Sequence, residues 1–297
     1  GPNYENKGTD VRNSEAIITS DVVVAANNVT VKGVKLEGAA RIVGSANGIS
    51  NLLVENVLIT GSTVNTDSSN GPLYFVPNSG KEYVNIKIVN VKISDYDSAR
   101  PMILFGYNFN GLTIEGCSFI ATRKSSNDGI KINNGFGAKG DIVIKNNHFE
   151  NFAQYTVWFS AFSAGNFQIL NNTFVKCGTT GASTDTYLHG AITFGTYKGT
   201  DAETLKINAS YNTNDNSYIL FRINKNDLLS NTNTTITVNY NKVLNSKTGY
   251  YVHNASTVTI DATNNYYSIA PTAASFASNV TWNPYYATEA EVPAYSE

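Results

Sequence analysis

Lysine and arginine side chains can withdraw a proton or hold an anionic group. Lys131 and Arg100 are the best such pair in the chain, with Asp128 close to Lys131 in sequence. The other chemistry-bearing residues form weaker patterns. His148, His189 and His253 lack the spacing of metal ligands. Asp95 and Asp97 share a polar loop, where paired carboxylates are ordinarily solvated. Ser, His and Asp occur in too many combinations for a triad to be meaningful. Cys117 and Cys177 are too few for a disulfide framework and read as small buried apolar side chains.

The bulk properties narrow the field. The chain has 297 residues, 21 basic and 23 acidic side chains and a formal charge of −2. That balance argues against a phosphate-binding surface, so nucleic acid is not an expected partner. No apolar run is long enough to span a membrane as a helix. Hydrophobic residues make up 41% and aromatics 11%, too much for disorder. Charged residues are scarce at 15%, while Asn reaches 40 copies. Gly1-Pro2 reads as a tag scar, residues 3–286 as one domain, and residues 287–297 as a linker.

The elements that must position Lys131 and Arg100 come from a repeat. Short apolar–variable–apolar runs recur along the chain, among them Ile86-Lys87-Ile88, Leu112-Thr113-Ile114, Ile142-Val143-Ile144 and Phe167-Gln168-Ile169. Period two marks them as strands. Two residues after each run stands Gly33, Asn56, Asn90, Gly116, Asn146 or Asn171, types that tolerate a left-handed bend. Ala209 and Tyr240 break this position in later units. Five residues after the run comes Leu36, Ile59, Ile93, Phe119, Phe149 or Phe174. A further class follows a variable loop: Ile103-Leu104-Phe105, Ile130-Lys131-Ile132, Val157-Trp158-Phe159, Ile192-Thr193-Phe194, Ile219-Leu220-Phe221 and Tyr250-Tyr251-Val252. Three strands per turn and about nine turns predict a solenoid with a continuous apolar core. Asn side chains at the bends are expected to bond from turn to turn.

The stretches Ile144-Lys145-Asn146-Asn147-His148-Phe149 and Ile169-Leu170-Asn171-Asn172-Thr173-Phe174 resemble the right-handed parallel β-helix of the pectate-lyase-like superfamily. The end of the chain, Asn264 to Tyr267 and Val280 to Tyr285, resembles the final coil of bacterial, cell-surface or adhesin-type members. The resemblance covers residues from about 20 to 286 and implies an all-β fold, a single right-handed three-stranded helix. It also implies that substrate lies along the first strands, which are those of the Ile103, Ile130 and Val157 class. The outward column would then be Tyr74, Leu104, Lys131, Trp158, Thr193, Leu220 and Tyr251, with Arg222 and His253 two residues further along. Aromatic faces suit sugar rings, and Lys131 and Arg222 suit uronate or sulfate groups.

Two functions follow as expectations. One is an extracellular or cell-surface glycan-binding domain of adhesin type, holding its ligand with Tyr74, Lys131, Trp158, Arg222, Tyr251 and His253. The other is a polysaccharide lyase using Lys131, Arg100 and Asp128, with calcium as its metal. No cofactor is expected for the binding domain. Polygalacturonase-like enzymes carry motifs that this chain meets only in fragments: Asn65-Thr66-Asp67 lies in a loop, His189-Gly190 lacks a preceding Gly, and Arg222-Ile223-Asn224 lacks the Lys. The expected partner is a polysaccharide or a host or plant glycan, acidic ones included, met by a monomer within a longer surface protein.

Overall fold

The computed structural model describes residues 2–61, 71–122, 128–178, 189–200, 202–224, 226, 228–247 and 249–297, without the side chains of 107 and 134–137. Each short alternating run forms a strand because its two apolar residues can be buried on one face together. All the strand pairs are parallel, each with the matching strand of the next repeat. Two sheets result. The ten-stranded one contains the strands after the bends, including Ser118–Ala121, His148–Glu150 and Thr173–Val175. The sixteen-stranded one holds both remaining classes, because Ile103–Glu115, Ile130–Lys145 and Val157–Leu170 each run from first strand into second without a break. The three separate strands per turn expected from the sequence are therefore merged in these coils.

The core is a column of stacked side chains. Ile93, Phe119, Phe149 and Phe174 are partners in register and are buried. The Phe149 and Phe174 rings stack at 5.2 Å. Opposite them Phe159 stacks on Phe194 at 4.6 Å.

Among the described residues, nine bends between second strand and third have positive φ, between 51° and 67°: Gly33, Asn56, Asn90, Gly116, Asn146, Asn171, Tyr211, Tyr240 and Asn264. The bend of the Leu205 unit is thus Tyr211 and not Ala209, which is buried and pairs with Ile169. The strand is two residues longer than the spacing suggests, so the apparent break in the pattern is a shift of register.

The residue after each bend faces inward. In the last five coils these are Asn147, Asn172, Asn212, Asn241 and Asn265, none more than 3% exposed. Each of the first four donates its side-chain amide to the carbonyl oxygen of the next, at 2.9, 3.0, 3.1 and 3.0 Å. Each also donates to a backbone carbonyl: Ile114, Ile144, Ile169 and Ala209 in turn. The ladder is therefore one residue inside the bend, where each amide is desolvated and satisfied. At the bend itself Asn171 bonds Asn146 at 2.8 Å, as the sequence suggests. Cys117 occupies the next position below the ladder and donates its backbone N–H to Asn147. Both cysteines are buried, and burial pushes the Cys117 thiol up to about 12.

Residues 287–297 pack on the solenoid. Lys242 pairs with Glu289, Lys145 pairs with Glu297, and Tyr295 meets the Tyr211 ring.

Candidate functional site

The first-strand face is set by register. Tyr74 pairs with Leu104, Leu104 with Lys131, Lys131 with Trp158, Trp158 with Thr193, Thr193 with Arg222, and Arg222 with His253. Neighbouring members are about 4.8 Å apart along the helix axis. Arg222 and His253 therefore stand in one column with Lys131 and Trp158, rather than two residues beyond it. Leu220 and Tyr251 do not belong to that column. Leu220 is 1% exposed. Tyr251 packs into the core, its ring stacked on Tyr267 at 4.7 Å and its hydroxyl donating to the Ile269 carbonyl. Ile219-Leu220-Phe221 and Phe221-Arg222-Ile223 show the same alternation two residues apart, and the pairing of Phe221 with Ile192 selects the second.

Tyr74, Lys131 and Trp158 are half-buried, whereas Arg222 and His253 are buried although they lie on the outer face. The face is thus partly open toward the first coils and closed toward the last. The long loops singled out in the sequence, Gly61 to Asn70 and Cys177 to His189, fall mostly outside the described residues.

Lys131 lies at the centre of a compact group. Its ammonium sits 4.1 Å from the Trp158 ring centre and 4.0 Å from Asp128 Oδ2. Burial lowers its pKa, and Arg100 lowers it further, while Asp128 works in the opposite direction. Arg100, a half-buried residue, is hence close enough to act on Lys131 electrostatically. Asp128 is 4% exposed; burial raises its carboxyl from 3.8 to about 6, against the pull of Lys131 and of the Tyr155 N–H. That N–H donates to Asp128 Oδ1 at 3.2 Å, and the Asp128 carbonyl accepts from Met102 N–H. The carboxylate is therefore locked between two coils. The expected trio Arg100, Asp128 and Lys131 is brought together.

Tyr155 is a site residue that the strand pattern misses. Its ring stacks on Trp158 at 4.3 Å and meets His189 edge-on at 4.9 Å. It precedes the strand by two positions, outside the alternating run; an aromatic residue at a strand entrance was the available signal. The Trp158 indole is thus engaged by both a cation and a ring before any ligand arrives. His189 is held toward its neutral form by burial and by Arg222. Its Nδ1, and the hydroxyls of Thr156 and Thr193, are buried and find no hydrogen-bond partner among the described residues. Tyr250 meets His253 edge-on at 5.1 Å. His148 lies away from this face, half exposed beside Glu150.

Calcium takes six to eight oxygen ligands. Among the described residues Asp128 is the one carboxylate in the Lys131 group, and no three His, Cys, Asp or Glu converge on a metal position. The donors here do not fit calcium. The arrangement can hold an anion beside Lys131 and Arg100, next to aromatic surface, while Arg222 lies three coils further along the column and is buried.

A family model described as the right-handed beta helix region matches residues 18–194. Neither a curated protein nor a solved structure matches the chain.

Proposed function

The chain belongs to the right-handed β-helix family, and on that basis we propose that its first-strand face binds an acidic polysaccharide outside the cell or at its surface. The observation that carries this reading is the Lys131 group: Lys131 with Arg100 near it, one buried carboxyl that is neutral below about pH 6, and the Tyr155–Trp158 stack. Cations that are only partly solvated attract uronate carboxylates or sulfates, and ring faces pack on the C–H faces of pyranoses. Calorimetric titration with polygalacturonate, alginate and chondroitin sulfate tests it. One of them is expected to bind, to weaken as salt is raised, and to lose affinity in Trp158→Ala and Lys131→Ala. If only neutral glycans bind, or the two variants bind as the parent does, the reading fails.

A second reading has one specific observation behind it. A lysine whose pKa is lowered beside an arginine suits β-elimination: neutral Lys131 takes the C5 proton next to the uronate carboxyl, and Arg100 neutralises that carboxylate. The C4–C5 double bond forms as the C4–O glycosidic bond breaks, and the leaving oxygen takes a proton from the Lys131 ammonium or from water. Absorbance of unsaturated products during incubation with the same polymers separates lyase from binding domain.

A further inference from the structure

The two bends that depart from Asn or Gly point to a second binding site. Tyr211 and Tyr240 hold φ of 61° and 58°, a region that bulky side chains rarely adopt. Seven other coils fill the same bend with Asn or Gly. Strain of this kind persists only where the surrounding structure holds it, and it clusters at functional sites. The two rings lie on successive coils, stacked at 5.1 Å with 22° between their planes. Tyr295, from the C-terminal segment, approaches Tyr211 at 5.4 Å and 58°.

Between the rings and the segment 292–295 lies a cavity of about 380 Å³, lined also by Asn171, Thr213 and Lys242. That volume is within the range of small-ligand sites, about 300–1,000 Å³. Rings that served only to clamp the C-terminal segment would pack against it and leave no such space. The segment has other anchors. Glu289 pairs with Lys242, Glu297 pairs with Lys145, and Glu291 accepts the N–H groups of Ala287 and Thr288.

The chemistry of the lining selects the ligand. Three phenol rings offer apolar faces with hydroxyl rims, and Asn171 and Thr213 add short polar groups. The Lys242 charge is met by Glu289 at 3.1 Å. We propose that this cavity binds a neutral glycosyl unit, separate from the cationic face around Lys131. The site rests on the bend geometry and stands whether or not that face binds acidic polymers.

The test uses the full chain and a set of neutral oligosaccharides: cellohexaose, xylohexaose, laminarihexaose and maltohexaose. Tyrosine ring resonances are followed by NMR during titration, and affinity is read by calorimetry. One member is expected to shift the tyrosine signals, and Tyr211→Asn or Tyr240→Asn to weaken it by roughly tenfold or more. Asn is at home in this bend, so the thermal midpoint of these variants is expected to hold or rise. Trp158→Ala is expected to leave the binding unchanged. Should either Asn variant fail to fold, Thr213→Val removes a lining hydroxyl at nearly constant shape and is expected to weaken the same ligand. Absence of binding by all four sugars, or binding undiminished in the variants, overturns the proposal.

Discussion

The buried carboxyl of Asp128 yields the sharpest test of the electrostatics around Lys131. Replacing it by Asn keeps the shape and an oxygen that accepts the Tyr155 N–H, but removes the titration. In the folded chain its pKa is raised from 3.8 to about 6, with burial the largest cause. A raised carboxyl favours the folded state when protonated. Its contribution is fully present below pH 3.8 and is lost as pH rises through about 6. The size follows from the rise itself, about 3 kcal/mol between those limits. Urea unfolding of parent and Asp128→Asn at pH 4 and pH 8 measures it, since groups common to both cancel in the difference. Relative to the variant, the parent is expected to lose about 3 kcal/mol on going from pH 4 to pH 8. Lys131→Met removes the opposing charge and is expected to steepen the loss. A difference that stays constant with pH would refute the reasoning. A parent gaining on the variant at pH 8 would show that attraction to Lys131 outweighs the cost of burying the charge.

The Asn ladder makes a second prediction. Asn172→Ala strips partners from Asn147, Asn212 and the Ile144 carbonyl, all buried, and is expected to cost about 3–5 kcal/mol by chemical unfolding. Asn171→Gly, at the exposed bend one residue earlier, is expected to stay within about 1 kcal/mol of the parent. Tyr251→Ala opens a cavity under Tyr267 and Phe276 and is expected to cost about 3–5 kcal/mol, whereas Trp158→Ala is expected to reduce glycan affinity more than stability. Cys117 in the native chain is expected to resist alkylation at pH 8 and to react once denaturant is added, as mass spectrometry would show.

Most of the fold was legible because a solenoid repeats its local solution. Period two in Leu112-Thr113-Ile114, the left-handed residue after it and the Phe that follows are each readable within ten residues of chain. They recur because each coil meets only its neighbours. Two stretches admit more than one register. Ile219-Leu220-Phe221 and Phe221-Arg222-Ile223 alternate alike, and only pairing with the neighbouring coils puts Arg222 and His253 in the column and leaves Tyr251 to the core. At Ala209 a longer strand moves the bend to Tyr211.

The candidate site divides along the same line. The sequence by itself determined that Lys131 and Trp158 point outward on neighbouring strands, because side-chain direction is a local property of a strand. Arg100 and Asp128 were also within its reach, as residues just ahead of strands. Only the tertiary structure decided that Arg222 and His253 share the column, that Tyr155 stacks on Trp158, and that Asp128 is buried enough to hold its proton up to about pH 6. The shared column and the burial depend on register between coils and on exclusion of water, both set by residues of neighbouring coils, whereas the Tyr155–Trp158 stack depends on how the chain enters the strand. The same holds for the tyrosine cavity. The sequence shows Tyr where Asn is usual, and only the returning C-terminal segment turns that oddity into a half-open pocket.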